Sequence, residues 1–299
     1  MRWLALLAVL PSLQGGHTTP ICGKTSIPYP QHALAVSSGS VWAACRERGA
    51  LVRLTPAGKQ VASIPLGVRP WAVAAGGGAL WVVDRDQALA LRVDPRRNRV
   101  TRRVSLPSAP IDVWVGAGSV WLALDAQGAV GRLGRTLAVI STGDGPSGFA
   151  TDGRTVWIAN HRDGTLSRIA PGAARSTTIS RPGAERLVYL AGSLWATGRG
   201  LDLLRIDPQS GATQTTVEIG AAGIELAVAG GRVWAGAATE AGARRGDPRA
   251  AALVAVNPST NTVVESHAAT APLMLNGLAT DGRRLWVADL VHGALVGLG

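Results

Sequence analysis

The sequence predicts an all-β chain, a seven-bladed β-propeller of four-stranded blades whose last blade is completed by an N-terminal strand. Three observations predict it. A tryptophan recurs at positions 42, 81, 121, 157, 195, 234 and 286, at intervals of 39, 40, 36, 38, 39 and 52 residues. A period near 40 residues with β-type segments is the length of one propeller blade. Each Trp is flanked by aliphatic residues, Val41 and Ala43 in the first copy and Leu285 and Val287 in the last. Eight positions before each Trp stand Leu34, Val73, Val113, Phe149, Leu187, Leu226 and Leu278, a column without gaps across seven copies.

The second copy shows the blade. Trp71–Ala75, Leu80–Val83, Ala90–Val93 and Val100–Leu106 are short aliphatic or β-branched runs, separated by Gly76-Gly77-Gly78 and Asp94-Pro95. Such runs between turn residues are strands. The first two are apolar on both faces, as strands buried between neighbouring sheets must be. The Trp fills the space between adjacent sheets.

The seventh copy has one further strand after Trp286, Ala294–Leu298, and the chain reaches Gly299 without a fourth. Thr25-Ser26-Ile27-Pro28 precedes the first inner strand as Ala62-Ser63-Ile64-Pro65 precedes the second. It is therefore expected to complete blade 7, joining the two ends and removing open edges. The 52-residue interval implies an insertion in blade 6 near Thr239–Ala252, rich in charge, either a ligand-contacting loop or a tolerated surface insertion.

Residues 1–16 read as a signal peptide, with Arg2 followed by the apolar run Trp3–Leu10, leaving residues 17–299 as the propeller. A secreted or periplasmic monomer is expected, with no membrane-spanning segment in the mature domain. Cys22 and Cys45 form a disulfide by parity. Geometry argues the other way: a strand at Thr25–Pro28 would put Cys22 at the face opposite Cys45, and bridged Cα atoms must lie within about 7 Å. The question stays open at this point. Net charge is +11, and 28 of the 30 basic residues are arginine. That charge attracts nucleic acid non-specifically and in a salt-dependent way.

Loops joining second to third strands emerge on the same face as loops joining blades, so candidate site residues can be read by column. The inter-blade side of this rim holds His32, Arg69, Trp71, Asp112, Ser147, Glu185, Arg186, Glu225 and Asn276. The other side holds Arg46, Asp84, Arg85, Asp125, Asn160, His161, Arg199 and Asp289, with His292 just beyond. An unidentified protein or a small ligand is the expected partner there. Asp84, Asn160 and Asp289 share a column and suit magnesium or calcium, or else ordinary turn chemistry. His161 and His292, with Glu185 or Glu225 opposite, are the acid–base candidates. Trp71 stands outside the repeat column at the channel mouth and stacks on a ligand or packs in the core. Trp114, in a column otherwise of Ala and Val, reads as a channel plug. On the opposite face Arg96, Arg97, Arg99, Arg102 and Arg103 are a candidate phosphate-holding cluster. Cys/His metal spacing, phosphate-cradling loops and nucleophile elbows are absent from the sequence.

The stretch from Gly145 through Phe149, Asp152, Gly153 and Trp157 to Asn160 resembles a repeat of the YncE-like, YVTN-type bacterial propellers. Gly164–Ile169 and Leu204-Arg205-Ile206-Asp207-Pro208 match the same pattern, and the resemblance covers residues 25–299. It implies an exported, seven-bladed, non-catalytic binding scaffold, with single-stranded DNA among such partners. The repeats are also similar to those of the streptogramin (virginiamycin B) lyases. That similarity implies a C–O lyase opening a cyclic depsipeptide with a histidine, glutamates and magnesium. Lyase repeats often carry Glu three residues after the Trp. Here those positions are Cys45, Asp84, Leu124, Asn160, Gly198, Ala237 and Asp289, so no lyase residue is carried over.

Overall fold

Tryptophan and its aliphatic neighbours force the architecture, because seven large apolar side chains in register can be buried only between sheets. The structure is a computed structural model that describes residues 21–22, 32–180, 183–197, 202–219, 225–236, 251–268, 277–289 and 294–298. It is a ring of seven antiparallel sheets with strands in sequence order within each blade. Six sheets have four strands. The seventh has three among the described residues, Gly277–Thr280, Leu285–Asp289 and Ala294–Leu298. Blade 2 runs Pro70–Gly76, Ala79–Asp84, Leu89–Asp94 and Arg99–Ser105, within a few residues of the sequence expectation. The expected signal segment, the expected closing strand at Thr25–Pro28 and the expected blade 6 insertion lie outside the described residues, except that Ala251 and Ala252 begin the strand Ala251–Asn257.

Each repeat Trp is at most 7% exposed. Each packs in one apolar cluster with the next blade's residue from the column eight before its own Trp. Trp42 meets Val73, Trp157 meets Leu187, and Trp234 meets Leu278. Trp286 of blade 7 packs with Leu34 and Val41 of blade 1, so the ring closes through the same contact. Seven clusters thus form the core, one per blade interface. A fully buried indole dominates the energetics of each, since truncating a buried Trp costs about 3–5 kcal/mol.

A second device repeats with the first. The residue paired with Trp on the third strand is Arg53, Arg92, Arg132, Arg168 or Arg205 in blades 1 to 5. Arg53 and Arg205 lie over Trp42 and Trp195 at 5.2 and 5.4 Å. Arg205 also donates to the Pro258 carbonyl (3.0 Å) and Asn261 Oδ1 (2.8 Å) of the next blade, stitching the two together. Blades 6 and 7 carry Ala255 and Gly297 instead. Trp234 stacks on His267 at 6.1 Å, and Trp286 donates to the Pro56 carbonyl of blade 1.

The disulfide question resolves as a bond. Cys22 and Cys45 are joined, with Cα atoms 4.8 Å apart, so the expectation that they lie on opposite faces is corrected. The chain at Ile21–Cys22 lies against the end of the second strand of blade 1, where the Ile21 carbonyl accepts a hydrogen bond from Arg48 (2.9 Å).

Candidate functional site

Inner strands begin at the rim, and that is where the fold concentrates its unusual residues. Pro70 pairs with Asp84 and Ala72 with Val83, so Trp71 is an extra residue in a β-bulge. Ser147 occupies the same kind of bulge between Pro146 and Gly148. Bulges re-aim a side chain out of the ladder. The Trp71 indole donates to the Ile111 carbonyl of blade 3 (2.9 Å), and the guanidiniums of Arg46 and Arg85 lie over its ring at 5.1 and 5.2 Å.

His32 is the centre of the site. Its backbone is left-handed (φ 62°), costly for a residue with a Cβ, and held by bonds at both ends. The His32 N–H donates to Glu225 Oε1 (3.1 Å), and its carbonyl accepts from the Val73 N–H (2.9 Å). Its Nδ1 lies 2.8 Å from Asp112 Oδ2 and its Nε2 3.4 Å from Glu225 Oε2. One side chain of blade 1 therefore ties together blades 3 and 6 at the channel mouth. Burial alone would lower the imidazole pKa. The charges of Asp112 and Glu225 and the hydrogen bond to Asp112 outweigh both burial and repulsion from Arg186, and raise it from 6.5 to about 9. His32 is thus a cation at neutral pH, with both ring nitrogens facing carboxylates.

Arg186 of blade 5 donates through Nη1 to the carbonyls of Ser147 (2.9 Å) and Glu185 (3.3 Å). Its Nε is buried and has no acceptor. Gly148 permits this approach, because a Cβ there would lie 2.9 Å from the Arg186 Cα and the Glu185 carbonyl oxygen. Arg162 pairs with Asp125 and with Asp144 (2.9 Å). Asp125 Oδ1 is buried without a donor.

These groups enclose a polar recess of about 280 Å³, lined by His32, Trp71, Arg85, Asp125, His161 and Arg186 among others. Below it the central channel opens into a space of about 400 Å³, walled by all seven inner strands. His32, Asp112 and Arg186 line both.

The sequence candidates sort accordingly. Glu225, expected to face His161 or His292, instead holds His32. His161 shares the recess, with Nδ1 2.7 Å from the Gly145 carbonyl, so Nδ1 donates and Nε2 is the nitrogen that bears the lone pair in the neutral ring. Glu185 contributes its carbonyl, which accepts from Arg186 and Ser147. Asp84 accepts from the backbone N–H groups of Arg69 and Gln87 (both 2.8 Å), and Asn160 donates to Thr165 and Ser167 (both 2.9 Å). Both brace loops within their own blades, which is turn chemistry. Among the described residues no group of three His, Cys, Asp or Glu is placed to hold a metal ion. Arg69 pairs with Glu47 (2.9 Å) on the outer rim. Asn276, His292 and the side chain of Asp289 lie outside the description. Trp114 is not a central plug: its indole lies along the wall over Gly116, stacked on Phe149 at 5.8 Å, and the channel beside it stays open.

The blade 2 arginines do not form one platform. Arg102 donates to the Gly134 and Arg135 carbonyls (both 3.1 Å), and Arg103 to the Leu66 carbonyl (2.5 Å). Neighbours on a strand face opposite sides, so the cluster is split between two blade interfaces.

By sequence the chain matches no protein-family model and no curated protein. Solved structures match by shape. A streptogramin B lyase structure superposes with a TM-score of 0.71 at 18% identity, covering 92% of this chain and 95% of the other. A chain of the Kuenenia stuttgartiensis hydrazine synthase gives 0.69 at 14%, covering 95% and 98%. A chain of the mitotic checkpoint complex gives 0.70 at 15%, covering 99% and 98%. These are likenesses of fold. Their diversity fits a scaffold that does not dictate its cargo.

Proposed function

We propose that the protein is an exported, non-catalytic binding propeller of the YncE-like type, and that the recess at the channel mouth is its binding site for a small carboxylate. The observation that carries this reading is that two guanidiniums, those of Arg186 and Arg85, line the recess. A carboxylate in the recess gains charge-assisted hydrogen bonds from such guanidinium groups. Arg85 over Trp71 adds a second cation beside a flat aromatic face. His32 serves as a tie between blades rather than as a general base, because its two nitrogens both face carboxylates and it is protonated at neutral pH. Export is supported by the Cys22–Cys45 bond, since disulfides persist in oxidising compartments.

Calorimetric titration with benzoate tests the reading. Binding is expected to weaken about tenfold in Arg186→Gln and less in Trp71→Ala. Equal binding by Arg186→Gln overturns it.

The streptogramin B lyase likeness favours a second reading, a C–O lyase. Incubation with virginiamycin B and magnesium, followed by mass spectrometry for a linearised product, decides between them. Turnover that depends on His161 would replace the binding reading.

A further inference from the structure

We propose that a gap between blades 3 and 4, on the face opposite the recess, is a binding site for a small oxyanion. The repeat itself shows what belongs there. Blades 1, 3 and 5 carry the same three side chains against the next blade: Ser40, Trp42 and Arg53, then Ser119, Trp121 and Arg132, then Ser193, Trp195 and Arg205. In blades 1 and 5 the arginine is held from both sides. Its Nε donates to the serine hydroxyl, at 2.9 Å in each. Its Nη1 donates to a proline carbonyl and an asparagine Oδ1 in the next blade's turn, Pro95 and Asn98 or Pro258 and Asn261.

Blade 3 lacks these partners. Counting on from Val93, Val256 and Ile169, which occupy one register position on the third strand, Ala174 of blade 4 stands where blades 2 and 6 have Asn98 and Asn261. Asn98 and Asn261 are left-handed, at φ 50° and 56°; in the blade 4 turn that conformation falls on Gly172 (φ 73°), where a Cβ would meet nothing within 4 Å. Arg132 keeps one bond, from Nη1 to the Ala173 carbonyl (3.2 Å), and lies over Trp121 at 6.0 Å. Its Nε and Nη2 and the Ser119 hydroxyl have no partner among the described residues, and all three are open to solvent.

The gap measures about 180 Å³ and is lined by Ser119, Trp121, Arg132, Arg154 and Gly172 among others, with no acidic residue in its wall. Arg154 brings a second guanidinium, which forms no ion pair among the described residues. The carboxylate beside it, Asp152, accepts instead from the backbone N–H groups of Arg154 and Thr155 (2.9 and 2.7 Å). Two cations without a counter-charge, in a slot that elsewhere in the ring holds an amide oxygen, select an oxygen-bearing anion. A cation would meet two guanidiniums, and an apolar group would strip water from their N–H groups without replacing it. At roughly 30 Å³ for a water-sized group, the space takes on the order of six non-hydrogen atoms, the size of acetate or phosphate.

The test is an NMR titration of the full chain with inorganic phosphate and, separately, with acetate, at constant ionic strength made up with chloride. The Nε–H of Arg132 should shift and saturate, while those of Arg53 and Arg205, whose Nε is already bonded, stay still. Affinity read at the Gly172 amide should fall about tenfold in Arg132→Gln and about threefold in Arg154→Gln. Arg205→Gln, which removes the same residue from a filled interface, should leave it unchanged. Tighter phosphate makes the ligand a tetrahedral oxyanion and tighter acetate makes it a carboxylate; either result supports the site. Arg154 is exposed, so its variant still decides the matter if Arg132→Gln does not fold. No saturable shift at Arg132 with either anion, or unchanged affinity in Arg154→Gln, overturns the proposal. The signals of Trp71 and Arg186 report the recess separately, so failure at one site is distinguished from failure at the other.

Discussion

Replacing His32 by Gln should remove a specific pH dependence from the stability of the ring. The imidazole sits between Asp112 and Glu225, and its pKa is raised from 6.5 to about 9 in the folded chain. A raised pKa means that the folded state holds the proton more tightly than the unfolded state. The resulting stabilisation is complete below pH 6.5, falls as pH rises, and is gone above pH 9. At 1.36 kcal/mol per tenfold, the rise amounts to about 3 kcal/mol, and the 28% exposure of the side chain lets solvent screen part of it. Urea unfolding of both proteins at pH 6, 8 and 10 measures it. The wild-type advantage over His32→Gln should shrink by up to about 3 kcal/mol across that range. Titrations elsewhere in the molecule are common to both chains and cancel in the difference. Parallel pH curves would refute the argument, as would an NMR titration placing the His32 imidazole near 6.5.

Further perturbations test other parts of the structure. Arg205→Leu removes a cation over Trp195 and bonds to blade 6, and should lower unfolding free energy by about 2 kcal/mol in denaturant melts. Gly148→Ala places a Cβ against backbone of blade 5, and should both lower the melting temperature and weaken benzoate binding at Arg186. Cys22→Ala opens a cross-link spanning 23 positions and should cost about 3 kcal/mol by the chain-entropy estimate, read as a lower denaturant midpoint. DNA affinity, measured by fluorescence anisotropy, should be weak and fall steeply with salt, since Arg102 and Arg103 of blade 2 are committed to carbonyls at two different blade interfaces.

The fold was legible because it repeats. A column eight residues before each Trp is the column that receives the preceding blade's Trp, so the register read from sequence is the register of the core. The arginines paired with those tryptophans repeat as regularly, mostly eleven residues after each Trp, and a third column would have found them. The site was legible only as a list. Columns placed His32, Asp112, Glu225 and Arg186 at the same rim, but pairing across a ring depends on radial distance and on the left-handed turn at His32. His32 and Glu225 are 193 positions apart, a separation over which no local pattern carries information. Cys22 was misplaced because the chain leading into blade 1 has no repeat partner to fix its path.

The central claim is that this propeller binds a carboxylate at its channel mouth. An ¹H–¹⁵N titration with benzoate tests it most directly, through the indole N–H of Trp71 and the Nε–H of Arg186. The account predicts that these two signals shift together and saturate, with no change at Arg102 or Arg103 on the outer strand of blade 2. Shifts confined to that outer strand, or none at Arg186, would contradict it.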